Sequence, residues 1–431
     1  MTRSSDPVVI VGAGPAGLSA AYHLPHDDYI VLEAGAEPGG LCRSHEFGGA
    51  VFDVGGHAFF TRHPEVRELI GRLCPVELFE QPRSAWVYSH GTYVRYPFQS
   101  HLHGLPTDVV RECLVGLLTV VRDKGLPPTS LADWIERTFG DGIRRHFLEP
   151  YNTKLWAHPL REITPAWTGQ RIVTPDIDAI VAGALEPRHN DDYVNARVTY
   201  PADGGFSTLY QGFVKHVGER LRCGVHIDRI DLDTRTAHSS DGEDFPFSRL
   251  VSTMPLDLLV ERVNGLPAGS ADAARRLRHN SLHLVNLAVD AEGVTKRQRV
   301  YVADPEVPFH KLVLNSNSSP ALRARPRFGI QAEVSFSPLK HVEIDGLAER
   351  VVAAVAGMGL VDPGAVRETE VCTVPYAYPV HTSDTTADRE YLLGTLLEAG
   401  IVCAGRFGEW LYINSDDAVL RGKKAAEEVC A

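Results

Sequence analysis

A glycine-rich turn between a short apolar strand and a helix constrains the fold of this chain more than any other sequence feature. Residues Val8–Val11 form a β-branched run that predicts a buried parallel strand, and the next six residues read GAGPAG. In such a turn Gly12 permits the sharp reversal, Gly14 lets a pyrophosphate approach the backbone, and Gly17 lets the following helix pack closely on the strand. The helix N-terminus then offers free N–H groups and the positive end of its dipole to phosphates.

A second strand and its terminal acid complete this pattern. Residues 29–32 predict a strand that ends at Glu33, about 20 residues after the turn, where a carboxylate can hold ribose hydroxyls. A strand, a glycine turn, a helix, a second strand and an acid in this order predict a Rossmann-like α/β domain that binds a dinucleotide.

The stretch after Glu33 favours FAD over a nicotinamide cofactor. Residues 34–41 read AGAEPGGL and resemble the second glycine segment of FAD-dependent amine oxidases and their relatives, where the backbone approaches the cofactor phosphates again. A nicotinamide dehydrogenase does not need this segment at this position. We therefore expect Gly40 and Leu41 to contribute to FAD binding together with Gly12, Gly14, Gly17 and Glu33.

Length, charge and cysteine spacing exclude several classes of protein. At 431 residues the chain is expected to form two or three subdomains. Its formal net charge of −12 argues against nucleic acid as a partner, because binding a phosphate backbone needs a basic surface. No run approaches the roughly 20 apolar residues of a membrane span, and the start of the chain lacks the apolar core of a signal peptide. Seven cysteines without a CxxC pair suggest neither a zinc site nor a disulfide framework, so we expect a cytoplasmic protein without a metal.

The remaining patterns predict how the chain divides. Residues 106–184 read as mostly helical, with Ser130 as an N-cap, and four strands at 282–289, 298–302, 311–315 and 329–336 predict a mixed or antiparallel sheet. Residues 250–255 read as a return to the nucleotide-binding sheet, residues 400–408 read as one more buried strand with a Gly-Arg-Phe-Gly turn, and a helix over 417–429 closes the chain. The predicted division is an FAD-binding domain in three parts at 1–95, 195–256 and 386–431, a helical domain at 100–190 and a substrate-binding sheet domain at 257–385.

Five segments together resemble the UDP-galactopyranose mutase family, especially its eukaryotic-type branch. They are DVGGH (53–57), RYPFQ (95–99), PYNTKLWAHP (150–159), WTGQR (167–171) and GRFGEWLY (405–412). The resemblance runs from about residue 8 to the end of the chain in one order, and the second and third segments are more restrictive than the glycine motifs.

The resemblance implies an isomerisation without net redox change. In that family N5 of reduced FAD attacks the anomeric carbon of a nucleotide-linked sugar and displaces the nucleotide, and the ring then closes again as the furanose. UDP-galactopyranose and UDP-galactofuranose are the leading pair. The implied partners are a nucleotide-diphosphate sugar and NAD(P)H or a flavin reductase as electron source, and a homo-oligomer is left open.

The resemblance also assigns roles to individual residues. It implies that His57 lies against the flavin ring and that Gly56, Arg83, Asn195 and Arg406 belong to the flavin environment. Arg171 clamps the diphosphate, for which a planar guanidinium is well suited. Tyr301, Tyr378 and Tyr412 offer hydroxyls to phosphate or sugar oxygens. The nucleotide and sugar cleft is lined by Gln99, Phe147, Tyr151, Asn152 and Trp156. His57, Arg171, Lys311, Tyr378 and Tyr412 form the implied catalytic set.

Two positions depart from the family pattern. The second diphosphate-binding arginine is replaced by Lys311, which keeps the charge but loses the bidentate fork, and a tyrosine is replaced within Asn317-Ser318. We expect Lys311 and Asn317 to contact substrate and the pocket to be reshaped for a different sugar or nucleotide.

Three other functions stay open at this point. The chain could be a mutase for a deoxyhexose or pentose linked to UDP or dTDP, or an amine-oxidase-like FAD oxidoreductase on the same fold. It could also bind a nucleotide sugar without turning it over.

Overall fold

The computed structural model describes residues 6–120, 127–168, 172, 174, 176–188, 196–290 and 294–430. Its strands are β1 (Val8–Val11), β2 (Tyr29–Glu33), β3 (Ser44–Phe47), β4 (Ala50–Asp53), β5 (Leu78–Pro82), β6 (Ala85–Ser89), β7 (Thr92–Arg95), β8 (Arg197–Pro201), β9 (Leu221–Cys223), β10 (Ile227–Asp231), β11 (Thr236–Ser239), β12 (Asp244–Pro246), β13 (Arg249–Ser252), β14 (Val263–Asn264), β15 (Arg278–Val289), β16 (Arg299–Val302), β17 (Lys311–Val313), β18 (Phe328–Phe336), β19 (Val366–Val380) and β20 (Ile401–Cys403).

Fourteen α-helices are found among the described residues. They are α1 (Pro15–His23), α2 (Pro64–Leu73), α3 (Thr107–Val120), α4 (Leu131–Ile143), α5 (Glu149–Trp156), α6 (Ile177–Leu185), α7 (Gln211–Val217), α8 (Leu256–Arg262), α9 (Gly269–Arg276), α10 (Pro320–Arg323), α11 (Leu347–Gly357), α12 (Thr385–Glu398), α13 (Gly405–Gly408) and α14 (Ser415–Cys430). No helix among the described residues is both long and apolar enough to cross a membrane.

A five-stranded parallel sheet forms the nucleotide-binding unit. Its strand order is β20-β13-β1-β2-β9, so segments from three distant parts of the sequence lie side by side. Val8 and Ile10 pack into the core that includes α1 and α14, whereas Val9 and Val11 pack into the core on the other face. Burial on both faces explains the uninterrupted β-branched run of β1. The predicted Rossmann-like α/β fold is confirmed.

A seven-stranded sheet forms the second unit, in the order β19-β15-β18-β17-β16-β6-β7. All neighbours are antiparallel except β16 and β6, so the predicted mixed sheet is confirmed. Along β18, Ile330, Ala332 and Val334 enter an apolar core shared with α11. Gln331 and Glu333 alternate with them and point to the opposite face, because successive side chains of a strand alternate.

Glycines allow helices α3 and α4 to pack closely. A Cβ on Gly142 of α4 would lie 2.2 Å from the carbonyl oxygen of Glu112 on α3, so only glycine permits this close approach. Ser130 caps α4 as predicted, since its hydroxyl accepts a hydrogen bond from the Asp133 amide at 3.2 Å. Gly140, with φ of +75°, breaks the regular helix near its end.

Two details of the prediction differ from the structure. The strand predicted at 311–315 ends at Val313, because Asn315–Asn317 turn into a 3₁₀ helix. Strands β6 and β7 lie within the range 1–95 but pair with the seven-stranded sheet rather than with the parallel one. The division into domain ranges stays a prediction.

Candidate active site

The glycine turn after β1 is shaped to receive a pyrophosphate. Gly12 has a φ of +101°, and a Cβ there would lie 2.1 Å from Thr253 Oγ1. A Cβ on Gly17 would lie 1.9 Å from the Gly12 carbonyl oxygen, which fixes the close packing of helix and strand. By contrast, a Cβ on Gly14 would meet only the Gly40 Cα, at 3.8 Å, so the space above this backbone is open. The first turn of α1 has no side-chain cap, which leaves its N–H groups for phosphate oxygens.

Glu33 joins the two glycine segments. Its Oε2 accepts a hydrogen bond from the Ala13 amide at 2.7 Å, and its Oε1 accepts one from the Gly35 amide at 2.8 Å. A carboxylate has about four acceptor positions, so two remain for ribose hydroxyls. Gly12, Gly14, Gly17, Glu33 and Gly40 therefore fit the pyrophosphate and ribose of a dinucleotide. Leu41 is half-buried against the core of the parallel sheet.

A cavity lies between the nucleotide-binding unit and the polar face of the seven-stranded sheet. Its walls include Gly56, His57, Arg83, Arg299, Tyr301 and Lys311. The His57 ring stacks on Phe206 with centroids 4.7 Å apart, and its Nδ1 lies 3.1 Å from the Gly55 carbonyl oxygen. Burial, together with the nearby charges of Arg406 and Lys311, lowers the pKa of His57 to about 3. The imidazole is therefore neutral at neutral pH.

The cavity carries an excess of positive charge. Arg83 Nη2 donates to the Tyr301 hydroxyl at 2.8 Å, and Arg299 Nη2 donates to the His57 carbonyl oxygen at 2.6 Å. Lys311 is the third cation, and Glu333 is the carboxylate beside it. Burial would raise the pKa of Tyr301, but Arg83, Lys311 and Arg299 outweigh burial and lower it. Three cations with one carboxylate favour an anionic ligand.

The structure brings most of the predicted cleft residues into one aromatic cluster. The Phe147 and Tyr151 rings are stacked at 5.1 Å, and Tyr151 meets Tyr301 edge-on at 5.7 Å. Trp156, Tyr378 and Tyr412 form a second part of the same cluster, with Tyr378 and Tyr412 centroids 5.7 Å apart and Trp156 and Tyr412 centroids 5.6 Å apart. Burial raises the pKa of Tyr378 to about 12, so its hydroxyl stays protonated.

Other predicted residues have contacts within the protein. Asn152 Nδ2 donates to the Leu148 carbonyl oxygen at 2.7 Å, and Arg406 Nη2 donates to the Ile413 carbonyl oxygen at 2.7 Å. Asn317 Nδ2 donates to two backbone carbonyls, each at 2.7 Å, while Ser318 rather than Asn317 lines the cavity.

Three further predicted residues are described only in part or not at all. Gln99 is buried. Arg171 and Asn195 lie outside the described residues, and their roles stay predictions.

The sequence did not predict Arg299, which lines the cavity, or Glu333, which contacts the cavity residues Lys311 and Gly56. Glu333 is fully buried, its Oε2 lies 2.7 Å from Lys311 Nζ, and its Oε1 accepts a hydrogen bond from the Gly56 amide at 2.8 Å. Burial alone would raise the pKa of Glu333, but Lys311 and His310 hold it well below its usual range. The sequence signal for Glu333 was a charged residue inside a strand with the alternating pattern FGIQAEVSF, since such a charge is rarely buried without a partner.

Comparison with known proteins places this site in a family. Residues 15–430 match the family described as flavin containing amine oxidoreductase. Coproporphyrinogen III oxidase from Mycobacterium tuberculosis is 25% identical over 350 residues, 72% of each chain. Putrescine oxidase from Kocuria rosea is 28% identical over 253 residues, 53% of this chain and 48% of that protein.

A solved structure resembles the whole chain. A crystal structure of reduced UDP-galactopyranose mutase superposes with a TM-score of 0.93 and 27% identity, over 99% of this chain and 94% of that one. The resemblance to UDP-galactopyranose mutase that the sequence motifs indicated is confirmed. Because the family model covers nearly the whole sequence, the chain belongs to the flavin-containing amine oxidoreductase family.

Proposed function

We propose that this chain is a flavin-dependent mutase that interconverts the pyranose and furanose forms of a nucleotide-linked sugar. UDP-galactose is the first substrate to test. The observation that carries the proposal is the likeness to reduced UDP-galactopyranose mutase over 99% of this chain, at a TM-score of 0.93. The cationic cavity beside an aromatic cleft supports it, because a nucleotide-diphosphate sugar combines an anion with stacking surfaces.

Reduced FAD, when bound, would supply the nucleophilic chemistry at the anomeric carbon. Arg83 and Arg299 border the cavity and favour anionic groups there. The stacked rings of Phe147 and Tyr151 give the cleft an apolar wall that excludes water. Arg83, Lys311 and Arg299 lower the pKa of Tyr301, so its hydroxyl is the more acidic hydrogen-bond donor towards an anionic oxygen, and Tyr378, with a pKa of about 12, stays protonated as a second donor.

A net oxidoreductase is the second candidate, and the relatives found by sequence favour it. The coproporphyrinogen III oxidase and putrescine oxidase that match this chain are named as oxidases. An oxidase of this family would be reduced by its own substrate and would consume oxygen, whereas a mutase needs its flavin reduced beforehand and leaves no net redox change.

One assay separates the candidates. The purified protein is incubated with UDP-galactopyranose, with and without dithionite, and the products are separated by chromatography. We expect UDP-galactofuranose only under reduction. NAD(P)H in place of dithionite tests the electron source, and size-exclusion chromatography tests for a homo-oligomer.

The other outcomes are equally informative. Oxygen consumption with coproporphyrinogen III or putrescine, and no furanose, would replace the mutase with an oxidase. A reduced protein that binds UDP but yields no furanose sugar from UDP- or dTDP-linked hexoses, deoxyhexoses or pentoses would overturn the proposed activity and leave a binding protein.

A further inference from the structure

Lys311 and Glu333 form a buried ion pair at the centre of the seven-stranded sheet. The two residues lie directly opposite each other on β17 and β18, and Tyr301 on β16 continues the same cross-strand row. The Lys311 ammonium lies 2.7 Å from Glu333 Oε2, with the two side chains 12% and 0% exposed. A buried charge of this kind needs a partner, and the pair supplies one to each residue.

The second oxygen of the same carboxylate holds the loop that carries His57. Glu333 Oε1 accepts the Gly56 N–H at 2.8 Å. Gly55 has a φ of +85°, and a Cβ on Gly56 would lie 2.5 Å from Val313 Cγ2, so the loop fits tightly against the sheet. Glu333 therefore connects the cavity's lysine with the backbone of the cavity's histidine loop.

Other groups near Glu333 do not replace Lys311 as its counter-ion. His310 Nε2 lies 3.4 Å from Glu333 Oε2, but burial lowers the pKa of His310 to about 4, so it is uncharged at neutral pH. The Arg299 guanidinium donates to the carbonyl oxygens of Gln298 and His57. The charges of Asp53 and Glu333 both act on Arg299, whereas Lys311 is the cation that Glu333 contacts directly.

We propose that Lys311 is the fixed counter-ion of Glu333 rather than a diphosphate ligand, and that Glu333 is a positioning residue for the flavin site. Its carboxylate holds the Gly55–His57 loop through the Gly56 amide, and its charge cancels the field of the ammonium in the cavity. The inference rests on the flavin site of the proposed function but not on the sugar chemistry.

The first test is the midpoint potential of the bound flavin, measured by reductive titration. Glu333→Gln keeps an oxygen for the Gly56 amide but removes the negative charge. We expect the potential to rise, because an uncompensated ammonium stabilises the negatively charged reduced flavin. In the double variant Glu333→Gln/Lys311→Met both charges are gone, and the potential is expected to return close to that of the wild type.

A matched control comes from the same sheet. Glu370 on β19 is also hydrogen-bonded, to His45 and Asn286, but neither of these partners lines the cavity, whereas the Glu333 partners Lys311 and Gly56 do. Glu370→Gln should leave the potential unchanged. An unchanged potential in Glu333→Gln, or a rise of equal size in the double variant, would overturn the electrostatic role of the pair.

The second test concerns the loop and the diphosphate. Glu333→Ala removes the acceptor of the Gly56 amide as well as the charge, so it should bind FAD more weakly than Glu333→Gln does; equal FAD affinity of these two variants would contradict the positioning role. The neutral double variant should bind UDP as the wild type does. A tenfold loss of UDP affinity in that variant, about 1.4 kcal/mol, would return Lys311 to the diphosphate.

These tests remain informative whatever the reaction is. The midpoint potentials need only bound FAD, so a protein that makes no furanose sugar, or that fails to bind UDP, still decides the role of Glu333. In turn, unchanged potentials would leave the product assay and the mutase proposal untouched.

Discussion

Three glycines of the first turn differ in what a methyl group would meet. At Gly12 and Gly17 an added Cβ would clash with the protein itself, at 2.1 Å and 1.9 Å, so a substitution there disturbs folding before it reports on a ligand. At Gly14 the added Cβ would make only an ordinary contact, at 3.8 Å, with Gly40. Gly14 is thus the position where a methyl group is tolerated by the protein and opposed by a bound pyrophosphate.

We expect Gly14→Ala to fold normally but to bind FAD at least tenfold more weakly, a loss of about 1.4 kcal/mol or more. The measurements are the unfolding midpoint of the apoprotein and an FAD titration followed by flavin fluorescence. Gly71→Ala is the control, because nothing lies within 4 Å of its added Cβ on α2. Unchanged FAD affinity in Gly14→Ala would show that the pyrophosphate does not lie over this backbone.

Glycine also permits the close packing of two whole helices, α3 and α4. Gly142 and Gly116 bring the two backbones together, and a Cβ on Gly142 would lie 2.4 Å or less from backbone atoms of Glu112 and Cys113. Backbone atoms in packed helices cannot move aside as a flexible side chain can. The helices would have to separate, which also shifts the core that contains Phe147 and Trp156.

We expect Gly142→Ala to lower the free energy of unfolding by about 1–3 kcal/mol, the usual cost of overpacking. Urea denaturation of the FAD-saturated protein measures it. Gly394→Ala on α12 is the matched substitution, because no atom lies within 4 Å of its added Cβ, and alanine there should be neutral or stabilising by up to about 1 kcal/mol. Equal destabilisation by both substitutions would contradict the close-packing argument.

The elements also show how far the sequence could predict this molecule. The alternation of β18 identifies its buried apolar face, and the uninterrupted apolar run of β1 indicates a strand buried on both faces. The same patterns do not say which strands become neighbours. The pairing of Lys311 with Glu333 therefore could not be read from residues more than twenty positions apart in sequence, although each position lies on a strand that the sequence predicted.

The sequence predicted some site residues correctly as a group, but it did not reveal which of them face a ligand. The motifs predicted that Tyr151, Trp156 and Tyr378 belong to one region, and the structure does bring these rings into one cluster. Asn317 has the right residue type for a ligand contact, yet its amide is used by the carbonyl oxygens of Thr295 and Arg297. Whether a polar side chain faces a ligand or its own backbone depends on loop geometry, which residue type alone does not reveal.

At the scale of the whole molecule, the interior holds histidines that resist protonation. Burial lowers the pKa of His279, His310 and His381 to about 4 each, below the value of about 6.5 for an exposed imidazole. Between these values the unfolded chain binds protons that the folded chain does not. The free energy of unfolding therefore falls as the pH is lowered from about 6.5 towards about 4, and it recovers as the pH rises again.

His310 gives the sharpest test of this acid sensitivity, because its side chain is only 1% exposed. Its contribution to the pH slope can reach about 1.4 kcal/mol per pH unit within the window. Glutamine does not titrate, so we expect His310→Gln to flatten the dependence of the unfolding free energy on pH between about 6.5 and about 5. Urea denaturation at several pH values in this interval, with constant added FAD, measures the slope. The control is the substitution His341→Gln, which removes an imidazole that is 77% exposed rather than buried. If His310→Gln kept the wild-type slope, the pKa of His310 would be the same in the folded and the unfolded chain, and burial would not lower it.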